Sequence, residues 1–245
     1  MKLRSLIQEA SPSWQSARDK GLDLSKQARL QRAQAMGFNT SEIVYHGTPQ
    51  MGYFISGFDP KYKATGNDQY GSGYYLTTDP SEADRYTAPN ELGSGAQGIL
   101  PLFVKLENPI VMDFDTQQNL FDADIVLTHE QAYKIMKYSP DIYDMEDTPI
   151  GNFIDVWSAG GVEDWMIKDV ASNYTEERGL QMLDNDFFRY HDHQFHVAVR
   201  DVLGFDSVIV EFGHKRHYVL WFAENIRSVN AVFDPDKADS TNLMD

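Results

Sequence analysis

Two short segments carry side chains that could act together on one ligand. Tyr45-His46-Gly47-Thr48 reads as the end of a strand, with an imidazole just before a glycine. Gly71-Ser72-Gly73-Tyr74-Tyr75-Leu76-Thr77-Thr78 reads as a strand entered through glycines. Glycine lets a ligand approach the backbone closely, and the exposed N–H and C=O can grip a carboxamide. An aromatic ring can stack on a flat ring. A neutral imidazole can donate to a sugar hydroxyl while the protein holds its other nitrogen. The set suits an amide-bearing ring joined to a sugar, and nicotinamide riboside within NAD is such a ligand.

Ordinary readings stand beside these. A histidine at a strand end is often structural, and Tyr70, Tyr74 and Tyr75 are normal strand residues. Alternation puts Tyr74 and Tyr75 on opposite faces, so at most one faces a given cleft. Tyr86 follows on the next helix and could complete an aromatic sandwich with Tyr75. Tyr190-His191-Asp192-His193-Gln194-Phe195-His196 places His193 and His196 one turn apart, as metal ligands can be. It lacks a His-Glu-x-x-His pattern and reads as a solvated helix face, with no metal expected. Gly93-Ser94-Gly95-Ala96-Gln97-Gly98 lacks the lysine of a phosphate loop and reads as a loop.

The elements that must position these residues follow from local signals. Asp23-Leu24-Ser25 offers an N-cap and Gly37 a stop, predicting a helix over 25–36. Residues 1–24 read as a polar arm or a short helix. Ile43-Val44-Tyr45 is strand-forming, as are 74–77, 100–106 and 110–114. Asp79-Pro80-Ser81 caps a short helix through Tyr86. A helix is expected over 129–137, another after Gly160-Gly161, and a long one over 186–203 ended by Gly204. Strands at 205–212 and 218–222 make a hairpin. No linker or repeat divides the chain, so the expectation is an α+β fold in one domain over 25–245, with an insertion at about 115–185.

Composition narrows the function. The chain has 245 residues, 42% of them hydrophobic, enough for a sizeable core. No apolar run is long enough for a membrane span, and the N-terminal apolar stretch is too short for a secretory signal. Cysteine is absent, which rules out disulfide and thiolate chemistry and is compatible with a cytoplasmic location. The net charge of −16 disfavours nucleic acid, whose affinity comes from lysine and arginine. Lys61-Tyr62-Lys63 and His214-Lys215-Arg216-His217 are local exceptions, read as solvated loop charges or as contacts for a pyrophosphate.

Four stretches, in order, resemble ADP-ribosyltransferases of the diphtheria-toxin and poly-ADP-ribose-polymerase branch, as found in phage and polyvalent mobile-element proteins. They are 28–38 leading into Tyr45–Thr48; Gly71–Thr78 with Asp79-Pro80, Ala83 and Tyr86; Glu107-Asn108-Pro109 with Asp113; and Gly204–Val210 with 218–222 and 226–235. Residues 115–185 match nothing recognisable. The resemblance implies a split antiparallel sheet with flanking helices and a helical insertion. It implies NAD as substrate without a metal, a protein acceptor, and mono-ADP-ribosyl transfer in a bacterial host cytoplasm. It assigns His46 to the nicotinamide-ribose hydroxyl, Gly47 and Thr48 to the carboxamide region, and Tyr75 and Tyr86 to stacking. The family's third position, often glutamate, falls on His217, with Glu211 on the preceding strand a possible stand-in. Members without that glutamate transfer a single ADP-ribose or lack activity. The alternatives are therefore a weakly active NAD-binding or virion-associated protein and an NAD glycohydrolase.

Overall fold

The computed structural model describes residues 11–49, 51, 57–58, 70, 72–88, 97–116, 125–140, 142–143, 149–152, 159–176, 178–188 and 193–245. Its helices and strands, in chain order, are α1 (Pro12–Asp19), α2 (Lys26–Ala35), β1 (Val44–Thr48), β2 (Tyr74–Thr77), α3 (Pro80–Asp84), β3 (Gly98–Val104), β4 (Pro109–Asp113), α4 (His129–Met136), α5 (Asp164–Val170), α6 (Gly179–Phe187), α7 (His193–Leu203), β5 (Ser207–Phe212), β6 (Lys215–Leu220) and β7 (Ile226–Ser228). The α+β class holds. No helix among the described residues is long and apolar enough to cross a membrane. The chain divides into two compact units. One comprises Met1–Lys63, Gly73–Glu107 and Ile209–Asp245, and the other Ala64–Ser72 and Asn108–Val208.

The first unit is built on a sheet in the order β5-β6-β2-β1-β3-β7. β1 runs antiparallel to β3 along its whole length, from Val44 opposite Leu102 to Thr48 opposite Gly98. β2 runs antiparallel to β6 from Tyr74 opposite Leu220 to Thr77 opposite His217. Between β1 and β2 the one pair among the described residues is Tyr45 opposite Thr77, so the sheet opens beyond it.

Strand alternation places Val44, Tyr74, Leu76, Leu102, Val104, Tyr218 and Leu220 in one core cluster with Phe58, Ile226 and Leu243. Each fully buried aliphatic side chain there contributes about 1.5–3 kcal/mol. A second cluster joins Phe103 to Ala33, Phe38, Ala231 and Phe233. It seats α2, whose N-cap Ser25 accepts from the Ala28 N–H and whose stop, Gly37, has φ +88°. Arg29 and Arg32 of α2 donate to the carbonyls of Ala231 (2.9 Å) and Val232 (2.7 Å). These contacts explain why the 28–33 and 226–235 stretches occur together. Residues 12–19 are helical, and Trp14 Nε1 donates to the Asn230 carbonyl.

The second unit holds β4 and α4–α7. Asn108 Nδ2 donates to the Gly204 carbonyl (3.2 Å), and the Asp206 N–H donates to the Asn108 carbonyl (3.3 Å). The third family stretch thus holds the start of the fourth. A capping box starts α4, with Thr128 and Gln131 each accepting from the other's backbone N–H.

Two expectations are corrected in this unit. The single helix over 186–203 is two helices, because α6 ends at Phe187 and Phe188 leaves the helical region at φ −126°. The stripe Leu180, Leu183 and Phe187, extended by helical spacing, would bring Gln194 inward. The buried residues of α7 are instead Phe195, His196, Ala198 and Val199. His196 is therefore in the core rather than on a solvated face, while His193 is exposed.

Candidate active site

His46 sits where β1 and β2 part. Its Nδ1 lies 2.9 Å from the carbonyl oxygen of Tyr75. A carbonyl only accepts, so Nδ1 carries the proton and Nε2 is the lone-pair nitrogen. This reverses the polarity expected from sequence: the neutral ring presents an acceptor, not a donor, at Nε2. Burial pushes the imidazole below its ordinary pKa, which the Tyr75 carbonyl partly opposes. The Phe58 ring meets His46 edge-on at 5.0 Å, and Phe58 also packs on Tyr74 at 4.8 Å.

Gly47 is required, but for a different reason than a ligand's approach. A Cβ there would lie 1.7 Å from the Ala83 carbonyl oxygen and 3.2 Å from the Tyr86 Cβ. The space that the missing side chain leaves is filled by α3. Gly73 likewise faces β6, where a Cβ would meet Val219 Cγ1 at 2.5 Å. Gly71, Lys61–Lys63, Gly93–Ala96 and 190–192 lie outside the described residues.

Tyr74 is buried in the core and Tyr75 is half-buried on the other face, with Thr77 and His217. Tyr86 is 66% exposed and stands directly after α3, over Gly47. Thr48 is buried opposite Gly98. The structure thus brings Gly47, Tyr75, Thr77, Tyr86 and His217 to one face of the β1–β2–β6 sheet, and His46 to the gap between β1 and β2.

Glu211 is not brought there. Its side chain is 57% exposed and 3.7 Å from Arg216 Nε. Arg216 and His217 alternate along β6, so Glu211 lies on the face opposite His217.

The residue that sequence reasoning missed is Glu82. His217 Nε2 lies 3.1 Å from Glu82 Oε2, within ion-pair distance but off the line of a hydrogen bond. Thr77 Oγ1 donates to the same oxygen at 3.3 Å and accepts from the Asp79 N–H at 3.1 Å. Helix α3 is pinned in place at its N-cap. Asp79 accepts from the Ser81 N–H and pairs with Lys215 at 2.5 Å, contacts that hold its carboxyl well below the usual range. Arg216 N–H donates to Thr78 Oγ1, and Thr78 N–H to the Arg216 carbonyl. Asp79-Pro80-Ser81-Glu82 has the spacing of a capping box, in which the glutamate turns back on the cap N–H. Thr77 has taken that N–H, which leaves Glu82 facing His217.

A family model described as "ADP-Ribosyltransferase in polyvalent proteins" matches residues 40–234. The chain belongs to that family. The matched span contains β1–β7, α3 and every site residue named above. It also runs through 115–185, the stretch whose sequence carries no recognisable resemblance. A comparison with curated proteins finds no match. Among the described residues, no three histidine, aspartate or glutamate side chains converge as metal ligands do.

Proposed function

We propose that the protein is an NAD-dependent mono-ADP-ribosyltransferase acting on a protein acceptor. The observation that carries the reading is the His46–Tyr75 contact, which ties the two signature strands together where the sheet opens. Nicotinamide binds at the opening between β1 and β2, stacked by Tyr75 and Tyr86, with its carboxamide on the Gly47 main-chain N–H and C=O beside Thr48. His46 Nε2 accepts a hydrogen bond from a nicotinamide-ribose hydroxyl. The C1′–N bond then breaks and its electron pair passes to the pyridinium nitrogen, so nicotinamide leaves neutral. A lone pair of the acceptor forms the new bond to C1′, and the acceptor's proton goes to solvent. Negative charge near the ribose stabilises the oxocarbenium-like state electrostatically.

A protein acceptor suits a chain of net charge −16 better than a nucleic acid does. The setting proposed, a bacterial host's cytoplasm, is the one that the resemblance to phage and polyvalent-protein members implies. His217 at the position often held by glutamate favours one second reading, NAD binding without turnover.

Incubating the full chain with adenine-tagged NAD and bacterial lysate separates the readings. Tag on protein supports the transferase, and free ADP-ribose supports a glycohydrolase. Saturable binding with no product supports the second reading.

A further inference from the structure

We infer that Glu82 supplies the carboxylate that the third motif lacks, held beside the imidazole that stands at the motif's own position. The inference deepens the proposed NAD chemistry and rests on it. Where the family resemblance expects a glutamate at the start of β6, this chain has His217. The carboxylate that pairs with that imidazole among the described residues comes from α3 across the sheet face, at 3.1 Å. It belongs to this site by three independent placements. His217 is opposite Thr77 in the β2–β6 register. Thr77 binds Glu82 directly. Thr77 also follows Tyr75 by two positions on the same strand face, about 7 Å along the strand.

Glu82 is built to stay there. Its side chain is only 16% exposed, and His217's is 25%. Its helix is anchored to β6 through Asp79–Lys215 and Thr78–Arg216. Thr77 and His217 both engage Oε2, and Oε1 makes no hydrogen bond among the described residues. Oε1 is the oxygen that accepts from the ribose 2′-hydroxyl and faces the positive charge developing at C1′. No additional reactant enters: the bond changes are those given for nicotinamide release, and the carboxylate ends as it began. His217 holds and orients Glu82.

The test measures nicotinamide release and NAD-dependent melting of the full chain as wild type, Glu82→Gln, Glu211→Gln and the double exchange Glu82→His with His217→Glu. Glu82→Gln is expected to lower kcat about 100-fold or more while KM stays within about threefold. The double exchange, which restores an acid–imidazole pair in the opposite order, is expected to recover at least about tenfold of that loss. A purely structural glutamate would not give this recovery. Should Glu82→Gln not melt cooperatively, Glu82→Asp is read instead, and a loss of at least about tenfold is expected from retracting the charge by one methylene. Turnover by Glu82→Gln within about threefold of wild type overturns the inference alone. So does loss of turnover in Glu211→Gln with Glu82→Gln active. A wild-type chain with neither nicotinamide release nor an NAD-dependent melting shift overturns the proposed function itself.

Discussion

The imidazole of His46 donates from Nδ1 to the main-chain carbonyl of Tyr75, replacing the backbone pairing that β1 and β2 lose beyond Tyr45 and Thr77. One side chain thereby fixes the width of the opening, its own tautomer, and the position of the Tyr75 backbone.

His46→Ala should remove most of the NAD-dependent rise in melting temperature while the chain stays folded. At ligand a hundredfold above Kd, that rise corresponds to about 2.7 kcal/mol. Scanning calorimetry with and without NAD checks this, and a full shift in the variant contradicts the assignment.

The same residue sets a pH dependence. Its folded pKa is depressed below the unfolded value near ~6.5. The unfolded chain therefore takes up the proton first. His46's contribution to stability is complete above ~6.5 and is lost as pH falls through the folded value. NAD affinity has the same sign, since protonation removes the Nε2 lone pair. Titration calorimetry should give an affinity that is flat from about pH 8 to about pH 6.5 and falls below the folded pKa, with this fall absent in His46→Gln.

Tyr74 and Tyr75 should differ in kind. Tyr75→Ala is expected to weaken NAD binding by about 1–3 kcal/mol through lost burial and stacking. Tyr74→Phe should leave binding unchanged, because Tyr74 packs in the core beside Phe58. Equal losses of affinity at both positions contradict the face assignment.

Gly47→Ala should do more harm than a methyl group usually does. The added carbon overlaps the Ala83 carbonyl, a backbone atom, so α3 must shift. We expect a loss of about 1–3 kcal/mol in stability from overpacking, with NAD binding impaired because α3 leads directly to Tyr86. Denaturant unfolding and NAD titration of the variant measure the two effects. A wild-type result in both shows that α3 is not seated on Gly47.

What could be read from sequence was local. Ser25 as a cap, Gly37, Asp79-Pro80 and Gly204 act through the turn in which they sit, and each appears where its chemistry requires. Tyr74–Thr77 was legible as a strand because its type and its glycine entry agree. Partnership across the chain was not legible. Nothing local shows that the space over Gly47 belongs to Ala83, or that Thr77 takes the Asp79 N–H and releases Glu82 toward His217. The break at Phe188 was hidden for a similar reason, since two apolar stripes out of phase look like one rich helix until burial separates them. Glu211 is a stand-in by its place on the strand before His217, and the hairpin turns it to the other face with Arg216.

On the proposed chemistry, NAD is cleaved at the opening between β1 and β2. The most direct measurement is chromatographic quantification of nicotinamide released from NAD by the purified full chain, beside His46→Ala and Tyr75→Ala. Steady release by the wild type is expected, with at least about a tenfold loss of kcat/KM in each variant and cooperative melting retained. No release by a wild-type chain that binds NAD, or undiminished release by both variants, would contradict it.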